Sequence, residues 1–277
     1  MSADLLDRLC APAGDPSPAP RTLLVLAHPD DETVGASSRL TRVEVAALIY
    51  ATDGAPRDGR DAHAAGFSNI EAYAQARRAE TLRALAHAGI SSERVVFLDY
   101  PDQQAAFNLV PLTIGLREQI TVTHPEVVLT HPYEGGHPDH DAVAFAVHAA
   151  ATTLARDGRE PPAIIEFTSY HARGDGPVFG EFLPRTEVKE RIVSLNADAR
   201  ALKQRQLACH HSQAATLHGV PLDQERFRVA PAYDFTRPPH KGQVLYERHD
   251  WGLTVDAWCA LATTATERLQ SGQVAHV

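Results

Sequence analysis

The sequence predicts an α/β fold of the Rossmann-like kind, a mostly parallel sheet with helices on both faces and a C-terminal annex beside the strand ends. Three observations predict it. Short continuous apolar runs recur at 21–27, 43–51, 94–100, 125–131 and 162–170, as strands buried on both faces require. Helical patterns separate them at 32–42, 71–88, 109–123 and 141–156, and strand alternating with helix at this spacing favours parallel order. After residue 170 the alternation fades into a loop-rich stretch that runs to 253.

Residues 1–20 read as a flexible N-terminal arm, because the prolines of "PSPAP" resist regular structure. A single domain follows over 21–277, with 170–253 as its annex. "RTLLVLA" (21–27) is the first strand, and "VEVAALIYA" (43–51) the second. "DGAPRDGRDAHAAGFSNI" (53–70) reads as a mobile loop over the strand ends. "EAYAQARRAETLRALAHA" (71–88) is rich in alanine and leucine and is followed by Gly89 as a cap. "RVVFLDY" (94–100), "PEVVLTH" (125–131) and "PAIIEFTSY" (162–170) are the remaining strands. Beyond them, 187–215 reads as one amphipathic helix, 217–253 as a stretch of aromatics, prolines and charges, and 254–270 as a final helix. No GxGxxG opens the first helix, so the dinucleotide fingerprint is absent.

With 277 residues, 44% apolar and 22% charged, the composition is that of a soluble globular protein. A net charge of −9 argues against nucleic acid, since phosphate binding needs a basic face, and leaves a small-molecule substrate open. Cys10, Cys209 and Cys259 form no CxxC pair, which points to a reducing compartment rather than a disulfide framework or a thiolate zinc site. The acidic, proline-rich N-terminus lacks the pattern of a signal peptide, and no apolar run is long enough for a membrane span. A cytoplasmic protein is expected.

"LAHPDDETVGA" (26–36) places two adjacent carboxylates, Asp30 and Asp31, at a strand-to-helix turn beside His28. Asp at such a turn can simply cap the helix, but two like charges repel, and a divalent metal would resolve the conflict. One carboxylate could bind the cation while the other stays free as a base. "HPYEGGHPDHDAV" (131–143) supplies His137 and His140 at i and i+3, with helix beginning at Pro138. Ligands of such sheets lie beyond the carboxyl ends of the strands, so the two motifs should meet on one edge. Two histidines, one carboxylate and an open water position form a catalytic zinc arrangement. Of the 15 histidines, isolated ones such as His63 and His87 read as surface or packing residues.

"AHPDDE" (27–32) followed by "HPDH" (137–140) resembles the PIG-L/LmbE-like family of zinc-dependent N-deacetylases, which act on N-acetylglucosamine conjugates among others. The likeness spans roughly 22–215 and includes "TDG" (52–54), Arg77 and Glu80 of "RRAE", "YPD" (100–102) and "SQ" (212–213). It implies one Zn²⁺ held by His28, Asp31 and His140. Asp30 would be the general base, a protonated His137 the oxyanion stabiliser and acid, and Asp139 the orienter of a histidine. Arg77 and Asp102 match positions that grip the sugar, and Asp53 of "TDG" is a further substrate contact unless its Asp-Gly pair is only a turn. Some relatives carry a tyrosine just before HPDH; here Gly135 and Gly136 stand there, leaving Tyr133 or a residue of the C-terminal part to replace it.

The chemistry suits that assignment, because amide hydrolysis needs an activated water, a base and an acid for the leaving amine. A non-haem iron oxygenase would use the same two histidines and carboxylate, though it has no need of a free carboxylate beside the ligand. A metal-containing carbohydrate-binding protein is the other rival, and would need neither base nor acid. In the distal region His240, Tyr246, Glu247, His249 and Trp251 could contact a sugar-like ligand or simply pack the annex.

Overall fold

The computed structural model describes residues 2–12, 14–174, 176–249 and 251–271. The chain opens with α1 (Ser2–Cys10), β1 (Arg21–Leu26), α2 (Asp31–Ala36), β2 (Glu44–Pro56), α3 (Arg60–Ala64) and α4 (Ile70–His87). It continues through β3 (Val95–Asp102), α5 (Leu109–Thr123), β4 (Val127–Thr130), α6 (Pro138–Arg156) and β5 (Ala163–Phe167). A hairpin of β6 (Tyr170–Arg173) and β7 (Gly176–Phe179) leads to β8 (Glu190–Ser194), α7 (Ala197–Leu207), β9 (Gln224–Val229) and α8 (Val255–Gln270).

Seven strands form the main sheet in the order β3-β2-β1-β4-β5-β9-β8. The first five are mutually parallel, as the apolar runs predict, and β9 and β8 add antiparallel strands at one edge. Side chains alternate across a strand, and β1 shows the consequence. Leu23 and Val25 pack towards α5, α6 and α8, while Leu24 and Leu26 pack on the other face with Leu5, Leu9 and Leu85. All four β1 residues are fully buried, so the sheet is covered on both sides. From β1 the chain winds outward to β2 and β3, and from β4 it winds the other way to β5. The crevice between the carboxyl ends of β1 and β4 is therefore the topological switch point.

Four segments depart from the sequence reading. Residues 2–10 are helix rather than part of an arm: Leu5, Leu6 and Leu9 form an apolar stripe that buries against the sheet. The Arg39 guanidinium then ties the helix end down through Leu9 O (3.0 Å) and Ala11 O (3.1 Å). The expected loop over 53–70 instead continues β2 to Pro56 and forms α3, where Ala62 is buried against Tyr73. The expected helix over 187–215 begins as strand β8, and α7 starts only after Asn196, whose side chain accepts from Ala199 N at 2.9 Å. Finally, β9 lies within 217–253, so this stretch builds the sheet as well as walling the site. Among the described residues, no helix is long and apolar enough to cross a membrane.

Candidate metal centre and active site

Both halves of the site are built where a strand hands over to a helix. After β1, residues 27–30 turn tightly, with Asp30 N–H donating to His28 O (3.0 Å) and Asp30 O accepting from Thr33 N (2.9 Å). That turn holds Asp30 at a φ of 153°, a region side-chain-bearing residues rarely occupy, so the local structure carries strain at this carboxylate. Asp31 opens α2, and its carboxylate accepts from His28 N at 2.6 Å. After β4, the chain reaches His137, the N-cap of α6, whose Nδ1 accepts from Asp139 N at 3.1 Å. Pro138 stands in the first turn, and His140 follows one turn in. Gly136 lies directly under Tyr170 O, where a Cβ would overlap the carbonyl.

The sequence motifs meet in one buried triangle. His28 Nδ1 lies 3.2 Å from His140 Nε2 and 3.6 Å from the nearer Asp31 oxygen, and His140 Nε2 lies 3.4 Å from Asp31 Oδ1. Around a tetrahedral zinc with bonds of ~2.0–2.2 Å, ligand atoms sit roughly 3.3–3.6 Å apart; here His28 approaches Asp31 Oδ2 and His140 approaches Asp31 Oδ1, so the three side chains converge at about that spacing through the two oxygens of one carboxylate. A second grouping, His28, Asp102, His137 and Asp139, also draws its ligand atoms close together. It shares His28 but uses the opposite ring nitrogen: His28 Nε2 lies 3.3 Å from both Asp102 Oδ1 and Asp139 Oδ2. Asp139 is already engaged, accepting from Gln103 N (2.6 Å) and Ala105 N (2.9 Å). Carboxylates on the far nitrogen of a ligating imidazole are the usual outer support of a metal site, so the triangle fits an ion better and the second grouping braces it.

The charges agree with a cation. Four buried aspartates, Asp30, Asp31, Asp102 and Asp139, face one buried arginine, Arg77. Burial raises the Asp31 pKa, but His131 and His140 outweigh it and hold the group well below the usual carboxylate range. Asp102 is likewise held low against its burial, first by His28 and then by His137 and Arg77. Burial pushes Asp30 up to about 6, with Asp31 adding to the rise and Arg77 opposing it. Asp139 is also pushed up to about 6, mainly by burial. Burial depresses His140 to about 3 with His131 adding, and burial with His28 depresses His137 well below its ordinary value. Burial would depress His28 too, yet Asp102, Asp139 and Asp31 raise it well above 6.5.

Three substrate assignments change meaning here. Arg77 reaches the cavity, and its two terminal nitrogens are engaged, Nη2 donating to Asp30 Oδ2 at 2.8 Å and Nη1 to Gly54 O, while Nε has no partner among the described residues. Gly54 (φ 67°) has the guanidinium lying where its Cβ would be, so the glycine of "TDG" matters for packing Arg77. Asp53 sits outside the cavity, in a separate depression, paired with Arg57 at 2.6 Å. Asp102 lines the cavity as expected but stands among the histidines, 3.6 Å from His137 Nε2. Tyr133 is buried elsewhere, its hydroxyl donating to Arg237 O at 2.8 Å, and it does not line the cavity. The weak motif pieces do meet: Glu80 accepts from Ser212 N (3.1 Å) and Ser212 Oγ (2.6 Å).

Sequence reasoning missed other groups. His131, at the end of β4, stacks on His140 with ring centroids 4.1 Å apart and lies 3.1 Å from Asp31 Oδ2. Its place at a strand end was the available signal. Tyr170 lies with its ring 5.3 Å from His140, and burial with the surrounding aspartates raises its phenol pKa, so the hydroxyl keeps its proton. Of the distal residues that the sequence did single out, Trp251, 4.7 Å from the His137 ring, and His249 line the cavity. Tyr246, Glu247 and His240 do not: the Glu247 carboxylate accepts from Val255 N at 2.8 Å, at the start of α8.

Comparison with known proteins gives a consistent result. The family model described as "PIG-L: GlcNAc-PI de-N-acetylase" matches residues 23–151. A probable N-acetyl-alpha-D-glucosaminyl L-malate deacetylase 2 from Bacillus anthracis is 26% identical over 219 residues, covering 76% of this chain and 96% of that protein. The structure of the A40926 pseudoaglycone deacetylase Dbv21 superposes with a TM-score of 0.59 at 17% identity, covering 77% of this chain and 98% of that one. The zinc-inhibited form of the teicoplanin deacetylase Orf2 gives a TM-score of 0.59 at 16% identity, covering 77% and 99% respectively. At these identities the two structures establish a shared fold.

Proposed function

We infer, from the premise that this chain belongs to the PIG-L family of N-deacetylases, that it is a zinc-dependent hydrolase removing an acetyl group from an N-acetylglucosamine-type sugar or conjugate. The observation that carries the reading is the His28–Asp31–His140 triangle, with the Asp30 carboxylate outside it and lining the same cavity. His28, Asp31 and His140 would hold one Zn²⁺, which when bound supplies an acidified water near pKa ~7 and a polarised carbonyl. Asp30 would accept the proton of the attacking water, Arg77 fixes its orientation, and the carboxyl so protonated would return that proton to the leaving amine.

His137 is read differently from the sequence expectation of a protonated acid. Its pKa is depressed and its Nδ1 accepts from Asp139 N, so the neutral ring carries its proton on Nε2. That N–H is a donor for the developing oxyanion. Asp139 and Asp102 orient His28, and the protonated Tyr170 hydroxyl is a second donor beside His140. The family match and the presence of Asp30 and His137 at the cavity favour hydrolysis over oxygen activation or a binding role without chemistry. A cytoplasmic location belongs to the same reading and is supported by three free cysteines.

The test is acetate release from a panel of N-acetylated sugars and amines, with and without a chelator, alongside elemental analysis. Release that stops on chelation and returns with zinc supports the reading. A zinc-loaded enzyme that frees no acetate from any N-acetyl sugar overturns it.

A further inference from the structure

The cavity, about 610 Å³, has two unlike halves drawn from different parts of the chain. Its floor is polar and comes from the carboxyl ends of β1, β3 and β4: His28, Asp30, Asp31, Asp102, His137 and His140. A second set of lining residues, mainly apolar and called the wall here, comes from three separate segments beyond residue 170. β7 provides Pro177 and Phe179, the turn around 216–220 provides Leu217 and Val220, and the segment before α8 provides Leu245 and Trp251.

This wall is held in place by packing. Val220 and Leu245 are buried, while Phe179 and Leu217 keep part of their surface open, and the Phe179 ring rests 5.4 Å from that of Tyr170. Two of the polar side chains on this side, Gln213 and Arg248, are engaged in part. Gln213 Nε2 donates to the Tyr73 hydroxyl (2.5 Å) and to Ser212 O (3.0 Å), and Arg248 Nη2 donates to Gly174 O (2.7 Å). A sugar ring loses its hydroxyls' water on entering a site and needs partners for them, and the polar residues are concentrated in the floor, whereas these segments supply mainly apolar side chains beside Thr216, Arg248 and His249. Apolar surface rimmed by polar residues, by contrast, is what a hydrophobic ligand group selects. Trp251 lines the cavity with these residues, lies 4.7 Å from the His137 ring and stacks on His249 at 4.5 Å. The wall thus begins directly beside the reacting centre, and the whole volume lies in the ~300–1,000 Å³ range that encloses drug-sized ligands.

We propose that this wall is a subsite for an apolar, ring-bearing group attached to the N-acetylated sugar. The substrate is then a glycoconjugate with a hydrophobic aglycone, rather than a free sugar or one with a small charged aglycone. The proposal rests on the deacetylase reading of the floor, so its test needs a readout that does not depend on turnover.

The 4-nitrophenyl and methyl glycosides of N-acetylglucosamine, each as both anomers, are compared for kcat/KM by amine formation. Their binding is compared by quenching of tryptophan fluorescence, for which Trp251 and the buried Trp258 are the two reporters. The aryl glycoside should be favoured about 10- to 100-fold in kcat/KM, the discrimination that burying a few apolar carbons provides. Its nitrophenyl group should quench saturably, and Trp251→Phe should remove that quench. Phe179→Ser and Leu217→Ser should bring the aryl-to-methyl ratio to within about 3-fold of unity. Equal kcat/KM and equal affinity for the two glycosides in the wild-type enzyme would overturn the subsite. If neither glycoside is turned over but the aryl one alone binds and quenches Trp251, the subsite stands and the deacetylase reading falls. If neither binds nor reacts, the subsite is refuted.

Discussion

Replacing Arg77 with methionine should move the acid limb of the pH–rate profile without removing any group that touches the metal triangle. Burial pushes the Asp30 carboxyl up from the 3.8 of a free carboxyl to about 6, with Arg77 opposing the rise. As pH falls through about 6 the base is protonated and kcat/KM should decline. Arg77 Nη2 lies 2.8 Å from Asp30 Oδ2, and both side chains are buried. Charge centres about 4 Å apart attract by about 4 kcal/mol at an effective dielectric of ~20, or roughly 3 pK units at 1.36 kcal/mol each. Relaxation and entering water reduce that, so the Asp30 pKa should rise by about 1–3 units in Arg77→Met, carrying the acid limb upward with it. Arg77→Lys keeps a charge and should shift the limb less. The profile of kcat/KM is read together with a ¹³C NMR titration of the Asp30 carboxyl, which does not depend on turnover. Stability follows a defined sign: a folded pKa above the unfolded one favours the fold at low pH. That contribution is lost as pH rises through about 6, and in Arg77→Met the loss extends to higher pH. An acid limb and an Asp30 titration both unmoved in a folded, metal-loaded Arg77→Met enzyme would refute the assignment of Asp30 as the base held by Arg77.

Other outcomes follow from the same geometry. His140→Ala should abolish stoichiometric zinc, measured by elemental analysis, while circular dichroism stays close to native; full occupancy would remove His140 from the ligand set. Asp30→Asn should keep zinc and lower kcat by at least ~10²-fold, the usual contribution of a positioned base. Near-normal turnover of that zinc-loaded variant would show that another group takes the proton. Gly136→Ala places a Cβ against Tyr170 O and should cost about 1–3 kcal/mol in denaturant unfolding, because the β6 strand must move away from the β4–α6 turn. A stability equal to wild type would show that the hairpin is free to shift.

The parallel half of the sheet was legible because its cause is local: β1, β2 and β4 are buried on both faces, and the partly buried edge strand β3 and β5 keep the same apolar character, so their sequences read as continuous apolar runs. The triangle was legible for a similar reason. His28 and Asp31 lie within one turn, His140 opens a helix, and each turn follows a strand whose carboxyl end must face the same crevice. The antiparallel edge was not legible, because the pattern of β8 is only half-buried and becomes a strand by pairing with β9 more than 30 residues later. Nor could spacing reveal what Arg77, Asp102 and Tyr170 touch. The resemblance puts Arg77 on the sugar, and only packing shows its guanidinium turned under the β1 turn onto Asp30. Tyr170 reaches His140 only because Gly136 lets the hairpin lie against the turn before α6. The sequence by itself thus pointed to the parallel order and to the two strand-end motifs that carry His28, Asp31 and His140, since each is a local pattern along the chain. The tertiary structure alone decided the charge partner of the base and the apolar wall, because those depend on contacts between segments far apart in the chain, whose proximity no local pattern encodes.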